Sequence, residues 1–184
     1  RTIYYLINKS KYKYISPKSH VQKLLRLEGQ ENISIHKNAV IQKMTWLAAV
    51  PFEGEKECNL IIGEGSIIGH FNHIYATKEI EIGKFVLIAD NVYISDNQHV
   101  YANVNVPIIK QGIKQLKKVK ICDGTWIGEN VCIIGASIGE NSVIGANSVV
   151  TKDIPSYCVA VGSPAKIIKK YNFKIQEWEQ FNEK

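Results

Sequence analysis

Residues Ile121 to Val150 read ICDGTWIGENVCIIGASIGENSVIGANSVV and place an aliphatic residue at nearly every sixth position. A period of six fits neither an α-helix, whose period is 3.6, nor a strand that alternates every two residues. It fits short strands joined by tight turns, with one inward residue for each turn. The aliphatic residues that carry this period, with one five-residue step, are Ile121, Ile127, Ile133, Ile138, Ile144 and Val150.

The same period extends upstream. Three such hexads form a triangular coil, and successive coils stack by parallel pairing at about 4.8 Å. Glycine and asparagine recur in the turns, where they tolerate a positive φ. Residues 33–163 are therefore expected to form an all-β, hexapeptide-repeat parallel β-helix with its aliphatic residues stacked inside. The upstream positions are Ile62, Ile68, Ile74 and Ile80, then after a two-residue slip Ile82, Ile88 and Ile94, with a looser coil at Ile35, Ile41 and Leu47.

Four segments lie outside this pattern. Residues 96–118 interrupt the repeat with a long, mostly polar loop, and residues 49–59 are a shorter polar insertion between coils. Residues 164–184 place apolar side chains at a spacing that favours a C-terminal α-helical cap beginning after Pro164. Residues 1–32 are basic and aromatic, and the pattern assigns them no structure.

Charge, hydropathy and cysteine content disfavour several classes of partner and site. The 184-residue chain has a net charge of +6, yet no aromatic-basic platform or recognition helix accompanies the charge, which disfavours nucleic acid as a partner. No window reaches the roughly 18 apolar residues of a membrane span. The four cysteines lack metal-ligand spacing, which predicts no metal site and indicates small buried residues in a reducing, cytoplasmic setting.

Several motifs resemble one family. They are ISDNQHVY, PIIKQG, TWIGENVCI, IGENSVIGANSVVTKDIP and VGSPAKIIKKY, which together with the hexads cover roughly residues 62–171. The chain resembles the hexapeptide-repeat acyltransferases, in particular the polysaccharide and lipopolysaccharide O-acetyltransferases and the galactoside, maltose and nodulation-factor acetyltransferases. The resemblance implies a left-handed β-helix, a homotrimer with active sites between subunits, acetyl-CoA as acyl donor and a sugar hydroxyl of a cell-surface glycan or its precursor as acceptor.

The chemistry needs a base, because a sugar hydroxyl is a poor nucleophile until its proton is removed. His99 stands where the family's catalytic histidine stands, so the resemblance implies that it is the general base. The alternative is a surface histidine without a role. Asp96 either orients the imidazole or caps the turn in SDNQ. A backbone N–H near Gly128 or Glu129 is the family-like donor to the oxyanion, and a cysteine nucleophile is disfavoured because no cysteine sits beside a histidine in the repeat.

The resemblance also implies binding residues. Asn72 and His73 correspond to acceptor contacts, although a polar corner of the β-helix explains them equally well. Lys166 and Lys169 match phosphate-binding positions where the family often has arginine, so the phosphate contact is expected to be weaker; solvated lysines are the alternative. The implied cofactor-binding set is Trp126, Gly128, Ala146, Thr151, Lys152, Lys166 and Lys169.

Two departures limit the resemblance. The step from Ile133 to Ile138 is one residue short, and the N-terminal acceptor-binding segment of the maltose and galactoside enzymes is not recognisable. O-acetylation of a sugar therefore leads, followed by N-acylation of an amino sugar. A non-catalytic β-helix scaffold is a remote alternative. A zinc-dependent carbonic anhydrase of the same fold is disfavoured. It needs three histidines at defined spacing, and the histidines within residues 62–171, His70, His73 and His99, do not have that spacing.

Overall fold

The computed structural model describes residues 2–54 and 57–181. Its strands, numbered in chain order, lie in three mainly parallel sheets around one core, and each of the first five coils adds one strand to each sheet in the same order. The later coils continue face A only through single bridge residues, Ile138 and Ile154. Face A contains β1 (Tyr14–Ile15), β4 (Ile33–Ile35), β7 (Asn59–Ile62), β10 (Glu79–Ile82) and β15 (Val119–Ile121). Face B contains β2 (His20–Val21), β5 (Val40–Ile41), β8 (Ile67–Ile68), β11 (Leu87–Ile88), β16 (Trp126–Ile127), β18 (Val143–Ile144), β20 (Cys158–Val161), β21 (Lys166–Asn172) and β22 (Glu177–Gln180). Face C contains β3 (Arg26–Glu28), β6 (Trp46–Ala49), β9 (His73–Ala76), β12 (Tyr93–Ser95), β17 (Cys132–Ile134) and β19 (Val149–Val150).

The hexad residues form the core. Ile82 lies in register beside Ile62 on one side and Ile121 on the other, and all three are fully buried. The two-residue slip between Ile80 and Ile82 has a simple cause, because both residues point inward from the same four-residue strand of face A. The prediction of an all-β protein with stacked parallel coils is confirmed.

The corners use asparagine as the repeat predicts. Asn91, Asn130, Asn141 and Asn147 all have positive φ, between 48° and 60°. Asparagine adopts this left-handed region more readily than other non-glycine residues, because its short polar side chain can bond locally to the backbone. The turn residues therefore bend the chain from one face to the next.

Face C passes into face A of the next coil at what we call the C–A corner, and the largest excursion leaves the β-helix there. Within residues 96–118, β13 (Asn97–His99) pairs antiparallel with β14 (Ile113–Gln115), and a 3-10 helix spans Ile108–Lys110. The insertion between β6 and β7 leaves the same corner two coils earlier.

The predicted C-terminal α-helix is wrong. β21 pairs antiparallel with β20 and then with β22, so residues 166–180 form a hairpin on face B. The apolar spacing that suggested a helix brings Tyr171 and Trp178 together across the hairpin, with ring centroids 5.4 Å apart. The end of the β-helix leaves β20 with an unpaired edge, and pairing with that edge outweighs local helical periodicity.

The N-terminal segment belongs partly to the β-helix. A helix, α1 (Thr2–Asn8), precedes the first coil, which β1, β2 and β3 build ahead of residue 33. Tyr4, Tyr5 and Leu24 pack against the end of the core. Among the residues that the structure describes, no helix has the length and apolar character needed to cross a lipid bilayer.

Candidate active site

His99 lies near the base of the extruded loop. It is exposed and directly opposite Ile113 in the β13–β14 hairpin, so the two side chains share one face of that hairpin. The same residue borders a pocket of about 160 Å³ with Tyr101 and Lys114. The imidazole is therefore accessible and held on a hydrogen-bonded strand pair rather than on an irregular loop.

Asp96 anchors the base of this hairpin. Its fully buried carboxylate accepts hydrogen bonds at 2.7–2.8 Å from the backbone N–H groups of Thr77, Lys78 and Glu79, and another from the Thr77 hydroxyl. None of the hydrogen bonds among the described residues joins Asp96 to His99. The orienting bond to the imidazole is therefore not found, and the carboxylate binds the preceding coil instead.

The far end of the loop is tied to the same point. The Asp96 carbonyl accepts hydrogen bonds from the side chain of Gln115 and the N–H of Leu116, both at 2.8 Å. The Thr77 hydroxyl is also 2.8 Å from the side-chain oxygen of Gln115. Both ends of the excursion are thereby fastened to the coil below, and this fixes where His99 leaves the β-helix.

A pocket of about 260 Å³, which we call the hairpin pocket, lies between the insertion and the loop. Phe52 and Glu53 from the insertion, Tyr75 at the end of face C, and Ile113 from the hairpin line it. His99 is the cross-strand partner of Ile113, but it lines the neighbouring pocket beside Tyr101 and Lys114 rather than this one. No motif in the sequence marks the residues that line the hairpin pocket; the available signal is the position of the insertion, two coils before the loop at the same corner.

Three of the implied cofactor residues are brought together. Thr151, Lys152 and Lys166 line a pocket of about 170 Å³, here called the lysine pocket, at the C–A corner beyond the loop. Asp153 in the same turn forms an ion pair with Lys117 at the end of the loop. The loop base and the lysine pocket are thus directly connected along one corner of the β-helix.

The remaining implied cofactor residues lie apart from this pocket. Lys169 sits within face B, opposite Val159. The Gly128 N–H donates to the Ile144 carbonyl at 2.8 Å and is not available to an oxyanion, which leaves Glu129 as the candidate donor of the two. A Cβ at Gly128 would come within 2.6 Å of the Ala146 nitrogen, so glycine permits close packing of the two coils there.

Trp126 is half exposed and points outward from face B, in register with Leu87 and Val143. It continues an exposed apolar stripe that includes Ile67. A different face separates it from the C–A corner, so a single chain does not bring Trp126 to the lysine pocket.

Of the two implied acceptor residues, Asn72 is occupied within the fold. It is buried, and its amide donates to the Ala89 carbonyl and accepts from the Val92 N–H. Both the N–H and the oxygen of this amide are bonded to the backbone of the next coil, so the Asn72 side chain is not free to contact an acceptor sugar. His73 lies on face C, stacked on Trp46 at 3.9 Å, and burial lowers the pKa of its imidazole.

Neither cysteine nor metal chemistry gains support at this corner. Burial raises the pKa of the Cys58 thiol to about 12, which suppresses the nucleophilic thiolate. Within residues 2–54 and 57–181, no group of three histidine, cysteine or acidic side chains is arranged to hold a metal ion.

Comparison with known proteins places the chain among acyltransferases. A family model described as the hexapeptide repeat of succinyl-transferase matches residues 118–152. The chain is 35% identical to the galactoside O-acetyltransferase of Escherichia coli over 79% of its own length and 70% of that relative. It is 38% identical to the putative lipopolysaccharide biosynthesis O-acetyl transferase WbbJ of the same organism, over 61% of each protein, so it spans less than two thirds of that relative.

A similar solved structure is AntD, an N-acyltransferase from Bacillus cereus, in complex with dTDP and 3-hydroxybutyryl-CoA. The TM-score is 0.75 over 92% of this chain and 89% of AntD, at 22% identity. At that identity the likeness bears on the fold alone.

Proposed function

Because the chain belongs to the hexapeptide-repeat acetyltransferase family, we propose that it transfers an acetyl group from acetyl-CoA to a sugar hydroxyl of a cell-surface glycan or its precursor. One observation carries the proposal: an exposed histidine on an anchored hairpin shares the C–A corner with a lysine-lined pocket. A base and an anion-binding site next to each other are what direct transfer from a coenzyme A thioester requires.

In this mechanism His99 removes the proton from the acceptor hydroxyl as the oxygen attacks the thioester carbon. The backbone N–H of Glu129 is the proposed donor to the oxyanion that develops on the thioester oxygen. The carbon–sulfur bond then breaks, and the imidazolium returns the proton to the departing thiolate. The products are an acetyl ester and free coenzyme A, and no acyl-enzyme is formed.

Lys152 and Lys166 are proposed to bind phosphate groups of the donor, with Lys169 on the adjoining hairpin adding positive charge. The fit rests on the two exposed ammonium groups beside the lysine pocket. A lysine ammonium neutralises phosphate as a point charge and lacks the two-pronged geometry of arginine. The donor contact is thus expected to be salt-sensitive.

The hairpin pocket is the proposed acceptor site. Its aromatic walls, Phe52 and Tyr75, suit the apolar face of a sugar ring, and the Glu53 carboxylate can accept hydrogen bonds from hydroxyls. The same groups would accept an amino sugar, so N-acylation remains the second candidate. His73 stays a candidate acceptor contact through its neighbour Tyr75, whose ring is stacked with it at 6.1 Å.

We further propose a left-handed coil and a homotrimer, as the family resemblance implies. The exposed apolar stripe of Ile67, Leu87 and Trp126 on face B suits burial against a neighbouring copy. In such an assembly a neighbour's stripe would supply the tryptophan that one chain holds away from its own lysine pocket. The four unpaired cysteines favour a reducing, cytoplasmic location.

The test compares wild type with His99→Ala. Acetyl-CoA binding is measured by calorimetry, and thiol release is measured with a panel of sugars and amino sugars. We expect normal donor binding and a loss of turnover of about 10²-fold or more. His36→Ala, which removes another exposed histidine, is the matched control and should keep wild-type turnover.

The other outcomes discriminate between the candidates. If turnover survives in His99→Ala, another group is the base. If amino sugars alone release thiol, the chain is an N-acyltransferase. If wild type does not bind acetyl-CoA at all, the β-helix is a scaffold and the proposal fails.

A further inference from the structure

The net charge of this protein is concentrated at one end of the β-helix. Residues 1–28 contain seven of the 23 basic residues and one of the 17 acidic residues, which leaves 16 of each sign in the rest of the chain. The whole excess of +6 therefore lies in a segment that precedes the second coil. Such an asymmetry is an electrostatic feature of a surface rather than a requirement of the fold.

Arg1 lies outside the described residues; the structure places the other six basic residues on the connection that follows α1 and on the first coil. The segment forms α1 and the first coil, and Lys9, Lys11, Lys18 and Lys23 are all exposed. Among the described residues none of these four forms an ion pair. Four lysines further along the chain pair with carboxylates, namely Lys37 with Glu64, Lys118 with Glu79, Lys120 with Glu81 and Lys117 with Asp153, while other exposed lysines there, such as Lys84, form no ion pair among the described residues.

The same end exposes aliphatic side chains. Leu6 and Ile7 of α1 are 57% and 62% exposed, and Leu25 in the first coil is 59% exposed. Tyr4 and Tyr5, on the other side of α1, pack against the core. The helix therefore covers the end of the core with its tyrosines and presents its aliphatic residues outward, beside the unpaired lysines.

We propose that this surface, which we call the basic end (residues 4–25), docks on an anionic lipid bilayer. Lysine ammonium groups around protruding aliphatic side chains complement a membrane interface, where anionic headgroups surround an apolar layer. Nucleic acid fits less well, because phosphates would use the lysines and leave Leu6, Ile7 and Leu25 without apolar partners. Tyr4, Tyr5 and Tyr12 are packed in or against the core, so among the described tyrosines of this segment Tyr14 alone is exposed for stacking on a base.

This docking mode has a geometric consequence. The basic end lies across the axis of the coil stack, and the loop that carries His99 leaves three coils further along. At one strand spacing per coil, that loop stands roughly 15 Å from the docked end. The inference does not depend on the proposed reaction, and it concerns attachment at the surface rather than a membrane span.

The test is sedimentation of the full 184-residue chain with vesicles of phosphatidylcholine alone or with about 30% phosphatidylglycerol. We expect binding to the anionic vesicles, loss of that binding at about 0.5 M salt, and no binding to the neutral ones. Lys9→Glu with Lys11→Glu should weaken binding at least tenfold, since each substitution removes the attraction of one lysine to the anionic headgroups and adds a repelling charge. Leu6→Ser with Ile7→Ser should also weaken binding while its salt dependence remains.

A matched control reverses two exposed lysines elsewhere, Lys84→Glu with Lys174→Glu, which changes the net charge equally. It should bind anionic vesicles within about threefold of wild type, and circular dichroism should show all variants folded. The proposal is overturned if wild type ignores anionic vesicles, or if the control loses as much affinity as the Lys9 and Lys11 variant. It is equally overturned if Leu6→Ser with Ile7→Ser binds the vesicles like wild type and duplex DNA displaces the protein from them. The basic end would then be a general polyanion site.

Discussion

Replacing Asp96 by alanine tests whether a buried carboxylate holds in place the β13–β14 hairpin, which carries the proposed base His99. The substitution removes the acceptor of three backbone N–H groups, from Thr77, Lys78 and Glu79, and of the Thr77 hydroxyl. A buried donor left without a partner costs about 1–3 kcal/mol. Because Thr77 is buried and four donors lose their acceptor together, we expect the free energy of unfolding to fall by about 3–5 kcal/mol, less if water enters the vacated space.

The effect on catalysis should be separable from the effect on stability. The Asp96 carboxylate bonds to residues 77–79 and not to the imidazole of His99, so its loss should displace the hairpin and lower kcat. Acetyl-CoA binding at the lysine pocket should largely be kept. Asp96→Asn, which preserves the shape and one carbonyl oxygen, should recover part of both losses. Urea denaturation gives the stability, and thiol release at saturating acetyl-CoA gives kcat, measured at a temperature where every variant is folded.

Asp90 supplies the matched control. Its carboxylate accepts the N–H of His70 at another corner, but the side chain is 43% exposed. Asp90→Ala should therefore lower the free energy of unfolding by about 1 kcal/mol or less and leave kcat unchanged. The reasoning is refuted if Asp96→Ala lowers stability no more than Asp90→Ala does, or if a folded Asp96→Ala protein keeps wild-type kcat.

Further predictions concern the core, the corners and the donor site. Burial lowers the pKa of His73, and of the two smaller effects Glu28 raises this pKa and Arg26 lowers it. The unfolded chain therefore binds that proton more readily, so stability should fall as pH decreases below about 6.5, and His73→Phe should flatten the pH dependence of urea unfolding. Gly63→Ala would place a Cβ 2.1 Å from the Gly83 carbonyl oxygen, so its thermal unfolding should show a loss of about 1–3 kcal/mol, and a normal melting curve would contradict the close packing of these coils. Lys166→Ala should weaken acetyl-CoA binding about fivefold at low salt and less at high salt by calorimetry, whereas a salt-independent loss would exclude a phosphate contact.

The features that could be predicted from the sequence are those that depend on residues close together in the chain. The inward positions repeat every six residues, and burial of Ile62, Ile82 and Ile121 in one column follows directly from that spacing. The turn asparagines and the interruption at residues 96–118 are likewise features of neighbouring residues. The resemblance to acyltransferases rests on the same local motifs, and the comparisons confirm it.

The errors concern residues whose partners lie far away in the chain. Asn72 looks like a polar ligand until its amide is seen between Ala89 and Val92 of the next coil. Residues 166–180 have a spacing compatible with a helix, and the unpaired edge of β20 makes them a hairpin. Neither the next coil nor a free sheet edge is visible in a short window of sequence.

Local sequence patterns thus specify the repeat, the side chains that fill the coils, the point where the chain leaves the β-helix and the family to which the chain belongs. Only the folded chain shows that Asp96 binds the preceding coil, that the insertion and the hairpin border a pocket, and that four exposed lysines at one end form no ion pair among the described residues. These features depend on how the coils stack. Stacking brings Thr77, Asp96 and Gln115 into contact across distances in sequence that no local pattern encodes, because each contact depends on the register of two coils.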